Sequence, residues 1–167
     1  AIILSAFAAA NAFAAPFAYI PNHYSGSVSV IDTSTNIVVA TVNVGGWPTT
    51  AAVNPAGTRV YVSDRWSSFV SVIDTSTNTV IATVNDVGNE LIGVAVNPAG
   101  TRVYVTAYYG SKLAVIDTCT NAVVKKIDVG SVPHGVAVNP AGTRVYVANW
   151  MSSSVSVIDT STDTVIA

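Results

Sequence analysis

Charge is what this sequence has least of. Only 10% of its 167 residues are Asp, Glu, Lys or Arg, against about a quarter in an ordinary soluble domain. Seven basic and nine acidic side chains leave a formal net charge of -2, so a nucleic-acid partner held through its phosphates is excluded. A single cysteine, Cys119, rules out an intrachain disulfide. There are only two histidines, His23 and His134. A copper or zinc centre needs about three or four converging ligands, and the carboxylates nearest these histidines in the repeat are Asp64 and Glu90, so no metal and no cofactor is expected. Also missing are a CysXaaXaaCysHis haem attachment, a GxGxxG or phosphate loop and a GlyXaaSerXaaGly nucleophile elbow. Nothing in the motifs points to catalysis.

What the sequence does have is repetition. AsnProAlaGlyThrArgValTyrVal begins at Asn54, Asn97 and Asn139, and ValIleAspThr places Asp32, Asp74, Asp117 and Asp159 at intervals of 42, 43 and 42 residues. Short runs rich in Val, Ile, Thr and Tyr lie between turn residues, which is strand composition. A period in the low forties built from such runs predicts an all-β fold, a β-propeller of four-stranded antiparallel blades. The 50% hydrophobic content fits, because inner strands of stacked blades are covered on both faces.

Each copy reads as strands A to D from the axis outward: AlaValAsnPro, ArgValTyrVal, SerValSerValIleAsp and ThrValIleAlaThrVal. Residues 16–167 hold the repeats: strands B to D over 17–44, then A to D over 49–87, 92–129 and 134–167. That makes fifteen strands, a partial ring of about 3.75 blades, expected to come from a longer protein with seven blades favoured over four. Such a piece is expected to self-associate through open blade edges. Residues 1–15 are apolar and Ala-rich, with small-x-small patterns at 10–12 and 12–14. They read as the back half of a secretory signal, with a membrane anchor as the competing reading. No membrane span is expected in the mature chain.

Turn chemistry supports the strand order. AsnProAlaGlyThr suits an A-to-B hairpin, with Gly at positive φ, and AspThrSerThrAsn a C-to-D hairpin. Antiparallel B and C strands place Arg59 opposite Asp74, Arg102 opposite Asp117 and Arg144 opposite Asp159. A charge pair recurring in every copy is expected to be a structural staple within the blade.

With TyrValSerAsp at 61–64, TyrValThrAla at 104–107 and TyrValAlaAsn at 146–149, the chain resembles the YVTN family of β-propeller repeats over residues 17–167. Ala107 departs from the Asn or Asp of that motif. The resemblance implies an extracytoplasmic protein, periplasmic, secreted or on the cell surface, since family members include archaeal surface-layer and bacterial secreted proteins. More distantly it is similar to the propellers of nitrous oxide reductase, cytochrome cd1 nitrite reductase and the methylamine dehydrogenase heavy subunit.

In a meander the A-to-B and C-to-D turns share one face, and the B-to-C and D-to-A loops the other. The first set is nearly identical between copies, whereas the second carries the unusual side chains. His23, Tyr24, Trp47, Asp64, Arg65, Trp66, Glu90, Tyr108, Tyr109, His134 and Trp150 are therefore the candidate binding residues. Loops on a rigid scaffold vary at little cost, and aromatic surfaces suit a protein or glycan partner. The competing reading is that the rings fill gaps between blades. The function expected is a non-catalytic binding scaffold; the alternatives are the propeller domain of an extracytoplasmic oxidoreductase or hydrolase with its active site at the channel mouth, and a module of a surface-layer protein.

Overall fold

The computed structural model describes residues 17–167; the expected secretory signal lies outside them. Fifteen strands form four antiparallel meanders. Blade 1 comprises β1 (Phe17–Asn22), β2 (Ser27–Asp32) and β3 (Ile37–Asn43). Blade 2 comprises β4 (Pro48–Val53), β5 (Arg59–Asp64), β6 (Val70–Asp74) and β7 (Thr79–Val84). Blade 3 runs through β8 (Asn89–Val96), β9 (Arg102–Tyr109), β10 (Lys112–Asp117) and β11 (Ala122–Asp128). Blade 4 runs through β12 (Pro133–Val138), β13 (Arg144–Asn149), β14 (Ser154–Asp159) and β15 (Thr164–Val165). The innermost strands lie side by side, β4 next to β8 and β8 next to β12. This is a partial β-propeller, the fold class expected from the period. Among the described residues, no helix is long and apolar enough to cross a membrane.

The tight turns follow their side chains. The Asn54 side-chain carbonyl accepts the N–H groups of Thr58 (2.8 Å) and Arg59 (3.0 Å), and Gly57 takes φ 68°. In the C-to-D turns Asn36, Asn78, Asn121 and Asp163 occupy the left-handed region, which Asn and Asp tolerate better than other residues with a Cβ. One Oδ of Asp74 accepts the Ser76 N–H at 2.9 Å and the Ser76 hydroxyl at 2.5 Å.

Blades are joined by apolar faces. Strands β5, β6, β9 and β10 are buried along nearly their whole length, while the outer β3, β7 and β11 are mostly exposed. In blades 1 to 3 the tyrosine of strand B packs against the next blade. Tyr19 packs with Val60, Val62 and Ile73 of blade 2, Tyr61 with Val103, Val105 and Ile116 of blade 3, and Tyr104 with Val145, Val147 and Ile158 of blade 4. At the inner end, hydroxyls cross the same junctions: Ser63 donates to the Ile92 carbonyl at 2.9 Å and Thr106 to the His134 carbonyl at 2.7 Å. A Cβ on Gly93 would overlap that His134 carbonyl, so the close approach needs glycine there.

The recurrent Arg residues behave differently from the staple expected. The backbone register does set Arg59 opposite Asp74, Arg102 opposite Asp117 and Arg144 opposite Asp159. Yet the Arg59 guanidinium donates to the Thr118 carbonyl of blade 3 (2.9 Å), and that of Arg102 pairs with Asp163 of blade 4 (2.8 Å). Only Arg144 pairs with its own blade, through Asp159 at 2.6 Å. Oδ1 of Asp74, Asp117 and Asp159 alike is taken by its own turn, so the difference lies in what stands beside the guanidinium: Arg59 and Arg102 reach the C-to-D turn of the next blade, whereas among the described residues no further blade lies beside Arg144, which turns to Oδ2 of Asp159. In blades 2 and 3 the Arg is thus a clamp between blades. Partly exposed, each clamp contributes about 0.2–1 kcal/mol.

Outer strands carry consecutive exposed apolar residues, Ile37, Val38 and Val39 on β3 being the longest example. A bulge interrupts the pairing of every complete C and D strand, after Val30, Val72 and Val115. The extra residue adds twist to a strand that is free on one side, which discourages edge-to-edge pairing.

Three outcomes are expected. The hydroxyl of Tyr104 is buried with no protein partner, so Tyr104→Phe should leave the denaturant midpoint unchanged or raise it slightly, whereas Tyr104→Ala should cost about 3–5 kcal/mol. Chemical denaturation of both variants checks this, and a large loss for Tyr104→Phe would contradict it. The turn carboxyls titrate below their ordinary 3.8, chiefly because the Ser34, Ser76 and Ser161 hydroxyls bond Asp32, Asp74 and Asp159, and because the Thr120 N–H bonds Asp117. A carboxyl depressed in the folded state stabilises above its unfolded pKa and loses that contribution as pH falls through the lower folded value. Stability should therefore hold from neutrality down to about pH 4 and fall below it. Cys119 stands where the other turns have the bonding serine, so Cys119→Ser should move the acid-unfolding midpoint to lower pH.

Candidate functional site: an aromatic rim

The rim is built by tying loops of different kinds together. The Arg65 N–H donates to the Trp47 carbonyl and the Trp150 N–H to the Val132 carbonyl, both at 2.9 Å. Each bond joins a B-to-C loop to the D-to-A loop that enters the same blade. The loop leaving the blade is held too: the N–H groups of Val44, Val87 and Val129 donate to the carbonyls of Gly26, Ser68 and Ser111 at 2.9 to 3.0 Å. Side chains on both kinds of loop therefore come together at one end of the molecule.

Two aromatic groups form there. Across blades 1 and 2, His23, on a 3-10 turn, lies 5.0 Å from Tyr24 and 5.1 Å from Trp47, and Trp47 lies 5.1 Å from Trp66 with the rings nearly perpendicular. Across blades 3 and 4, Tyr108 lies 5.0 Å from Tyr109 and 5.6 Å from His134, which is 5.8 Å from Trp150. Edge-to-face packing of this kind is favourable beyond simple burial. Arg65 connects the groups. It neighbours Trp66 in sequence, its guanidinium sits over the Tyr108 ring at 5.9 Å, and its Nε pairs with Glu90 at 3.3 Å. The strip runs from Tyr24 to Trp150 across all four blades.

These rings are not gap fillers. Trp66 and Trp150 are each 64% exposed, and Tyr24 and Tyr109 are exposed as well. The spaces between blades are filled instead by Tyr19, Tyr61 and Tyr104. Tyr108, Tyr109 and Glu90 lie on strand ends rather than in loops, because β8 and β9 extend to an Asn89–Tyr109 pair.

Asp64 is placed differently from the others. It is buried, and its Oδ1 accepts the N–H groups of Trp66 (3.0 Å) and Ser67 (2.9 Å). It is a positioning residue that shapes the loop presenting Trp66, not a surface contact. Asn149 has the corresponding place in blade 4, bonding the Ser154 and Ser156 hydroxyls, and Asn22 that in blade 1, bonding Ser27 and Ser29. In blade 3 Ala107 makes no such bond, and the chain there continues as strand. A glycine of the D-to-A loop presses on this position in three blades: a Cβ would overlap Asp64 from Gly46, Ala107 from Gly88 and Asn149 from Gly130.

The two histidines belong to separate aromatic groups, and Glu90 is engaged by Arg65. Among the described residues no group of three or more His, Cys, Asp or Glu converges on a point. Apart from that Arg65–Glu90 pair and the histidines, the side chains of the aromatic strip are uncharged; the same end of the molecule also carries the exposed Asp86 and the Lys112–Asp128 pair. The arrangement offers stacking surface and hydrogen-bonding edges, with the imidazoles of His23 and His134 among them.

No protein-family model matches the chain, and no curated protein matches it. Among solved structures, a chain of Kuenenia stuttgartiensis hydrazine synthase is similar, with a TM-score of 0.86 and 28% sequence identity over 91% of this chain. The match spans 45% of that chain's length. The likeness supports the β-propeller fold.

Sequence reasoning missed Met151, exposed beside Trp150.

Gly46 has φ 56° and no room for a Cβ beside Asp64. Gly46→Ala is therefore expected to cost about 1–3 kcal/mol and to disturb the Trp66 loop. Tryptophan emission and thermal unfolding check both effects; unchanged values would show that the loop does not depend on this contact.

Proposed function

We propose that the chain is a non-catalytic β-propeller scaffold that binds a partner, a protein or a glycan, through its aromatic rim. We further propose that it works outside the cytoplasm, as the resemblance to YVTN repeats implies. One observation carries the reading: the rings form an exposed strip along one end, while the Arg65 and Glu90 charges among them are paired with each other. Such a surface favours a neutral ligand with apolar faces, since nothing on it rewards a strongly charged one.

A second reading is favoured by the likeness to a chain named as a hydrazine synthase. In it the propeller is a domain of an extracytoplasmic oxidoreductase or hydrolase, and His134, at the start of an inner strand, looks onto the channel mouth. Fold alone does not choose, because propellers carry unrelated functions.

Titration with neutral oligosaccharides and with candidate surface proteins, followed by tryptophan emission, tests the first reading. Trp66→Ala and Trp150→Ala should each weaken binding about tenfold or more while leaving the unfolding midpoint nearly unchanged, because both rings are exposed. Retained affinity in both variants would overturn it. Redox or hydrolytic turnover lost specifically in His134→Ala would establish the second reading instead.

A further inference from the structure

Where blades 2 and 3 meet, each with a further blade on its other side, the rim carries two ring pairs of the same construction. Trp66, 64% exposed, stands edge-on to the less exposed Trp47 (39%), with centroids 5.1 Å apart and planes at 78°. Tyr109, 60% exposed, stands edge-on to the half-buried Tyr108 at 5.0 Å and 84°. In each pair one ring braces another whose face is open to solvent, so two stacking platforms are in place before any ligand arrives.

A polar pair with bonding capacity to spare links the platforms. Arg65, next to Trp66 in the chain, gives only its Nε to Oε2 of Glu90, at 3.3 Å, and its guanidinium rests over the Tyr108 ring at 5.9 Å. Neither Nη atom of Arg65 nor Oε1 of Glu90 bonds another group among the described residues. The pair thus offers donors beside an acceptor, the complement of two neighbouring hydroxyls, and its charges cancel.

These features suit one ligand class above others. A protein partner gains from any apolar area taken out of water, aliphatic as readily as aromatic. Yet in the loops and strand ends of this rim the large exposed apolar side chains are all aromatic except Met151. A pyranose gains specifically from a flat ring, because its polarised C–H groups meet the electron-rich face while its hydroxyls reach paired donors and acceptors.

We propose that the junction of blades 2 and 3 is a binding site for a neutral sugar chain, with pyranose rings stacked on Trp66 and Tyr109 and a pair of neighbouring hydroxyls bonded by Arg65 and Glu90. The inference rests on the aromatic rim being the binding surface; it narrows the partner to a glycan and the contact to one junction.

The test is isothermal titration calorimetry of the chain with cellohexaose, mannohexaose and N-acetylated chitohexaose, all neutral, and with hexagalacturonate as the charged counterpart. At least one neutral hexasaccharide is expected to bind saturably, and hexagalacturonate is not. Affinity should fall about tenfold or more in Trp66→Ala and in Arg65→Met. Trp66→Leu, which keeps apolar area but no aromatic face, should lose as much as Trp66→Ala, whereas Trp66→Phe should stay within about threefold of the parent. Circular dichroism confirms that the variants fold. No binding of any neutral hexasaccharide, preference for hexagalacturonate, or binding that Trp66→Leu preserves would overturn the proposal. A surface protein that binds instead, and loses affinity in Trp66→Ala and Trp150→Ala, would overturn the sugar assignment and leave the rim as the binding surface. A sugar whose binding ignores both of those variants would overturn the rim reading as well.

Discussion

The rest of the structure depends on the packing of one blade's tyrosine face against the next blade's valine and isoleucine face. A sheet of four short strands has two apolar faces and cannot bury both alone, so each blade is stable only against neighbours. Tyr61 between blades 2 and 3 and Tyr104 between blades 3 and 4 fill the gap that two twisted sheets leave. The polar contacts at either end, Ser63 and Thr106 toward the axis and Arg59 and Arg102 at the opposite rim, fix the angle between sheets more than they add stability. A guanidinium bonded to a neighbour's turn holds direction as well as distance, which a hydrophobic contact does not.

That division separates scaffold from surface. Turns on the Arg face repeat because each is fixed within its blade by an Asn or Asp side chain bonded to its own backbone and a Thr hydroxyl bonded to the adjacent turn, as Thr75 bonds the Gly57 carbonyl, and because the C-to-D turns of blades 3 and 4 also receive Arg59 and Arg102 from the blade before. Loops at the other end are anchored by a few backbone bonds, and their side chains are released from packing. Trp47, Trp66 and Trp150 can stand exposed there because the loops beneath them are already fixed. Asp64 shows the connection between the two roles, a buried carboxylate that shapes a loop presenting an exposed ring.

Much of the architecture was legible in the repeat. Period, strand composition and turn residues led to the four-stranded blades, and the contrast between constant and variable loops picked out the end where the rings gather. Side-chain partners were not legible in the same way. The Arg59 and Arg102 register was readable from spacing, but their guanidinium partners belong to blades 59 and 61 residues further along the chain. Asp64 looked like a surface contact because its position borders a variable loop, and only burial revealed its bonds to Trp66 and Ser67.

By itself the sequence determined the repeat unit, its strands and its turns, because these rest on local chemistry: glycine and asparagine at positive φ, β-branched runs, and side chains that bond their own backbone. The tertiary structure decided what lies between units. Whether a tyrosine is a plug or a surface, whether an arginine staples its own blade or clamps the next, and whether eight scattered aromatic and imidazole rings make one strip all depend on the angle between sheets. That angle comes from packing across forty and more residues of chain, where no local pattern carries the information.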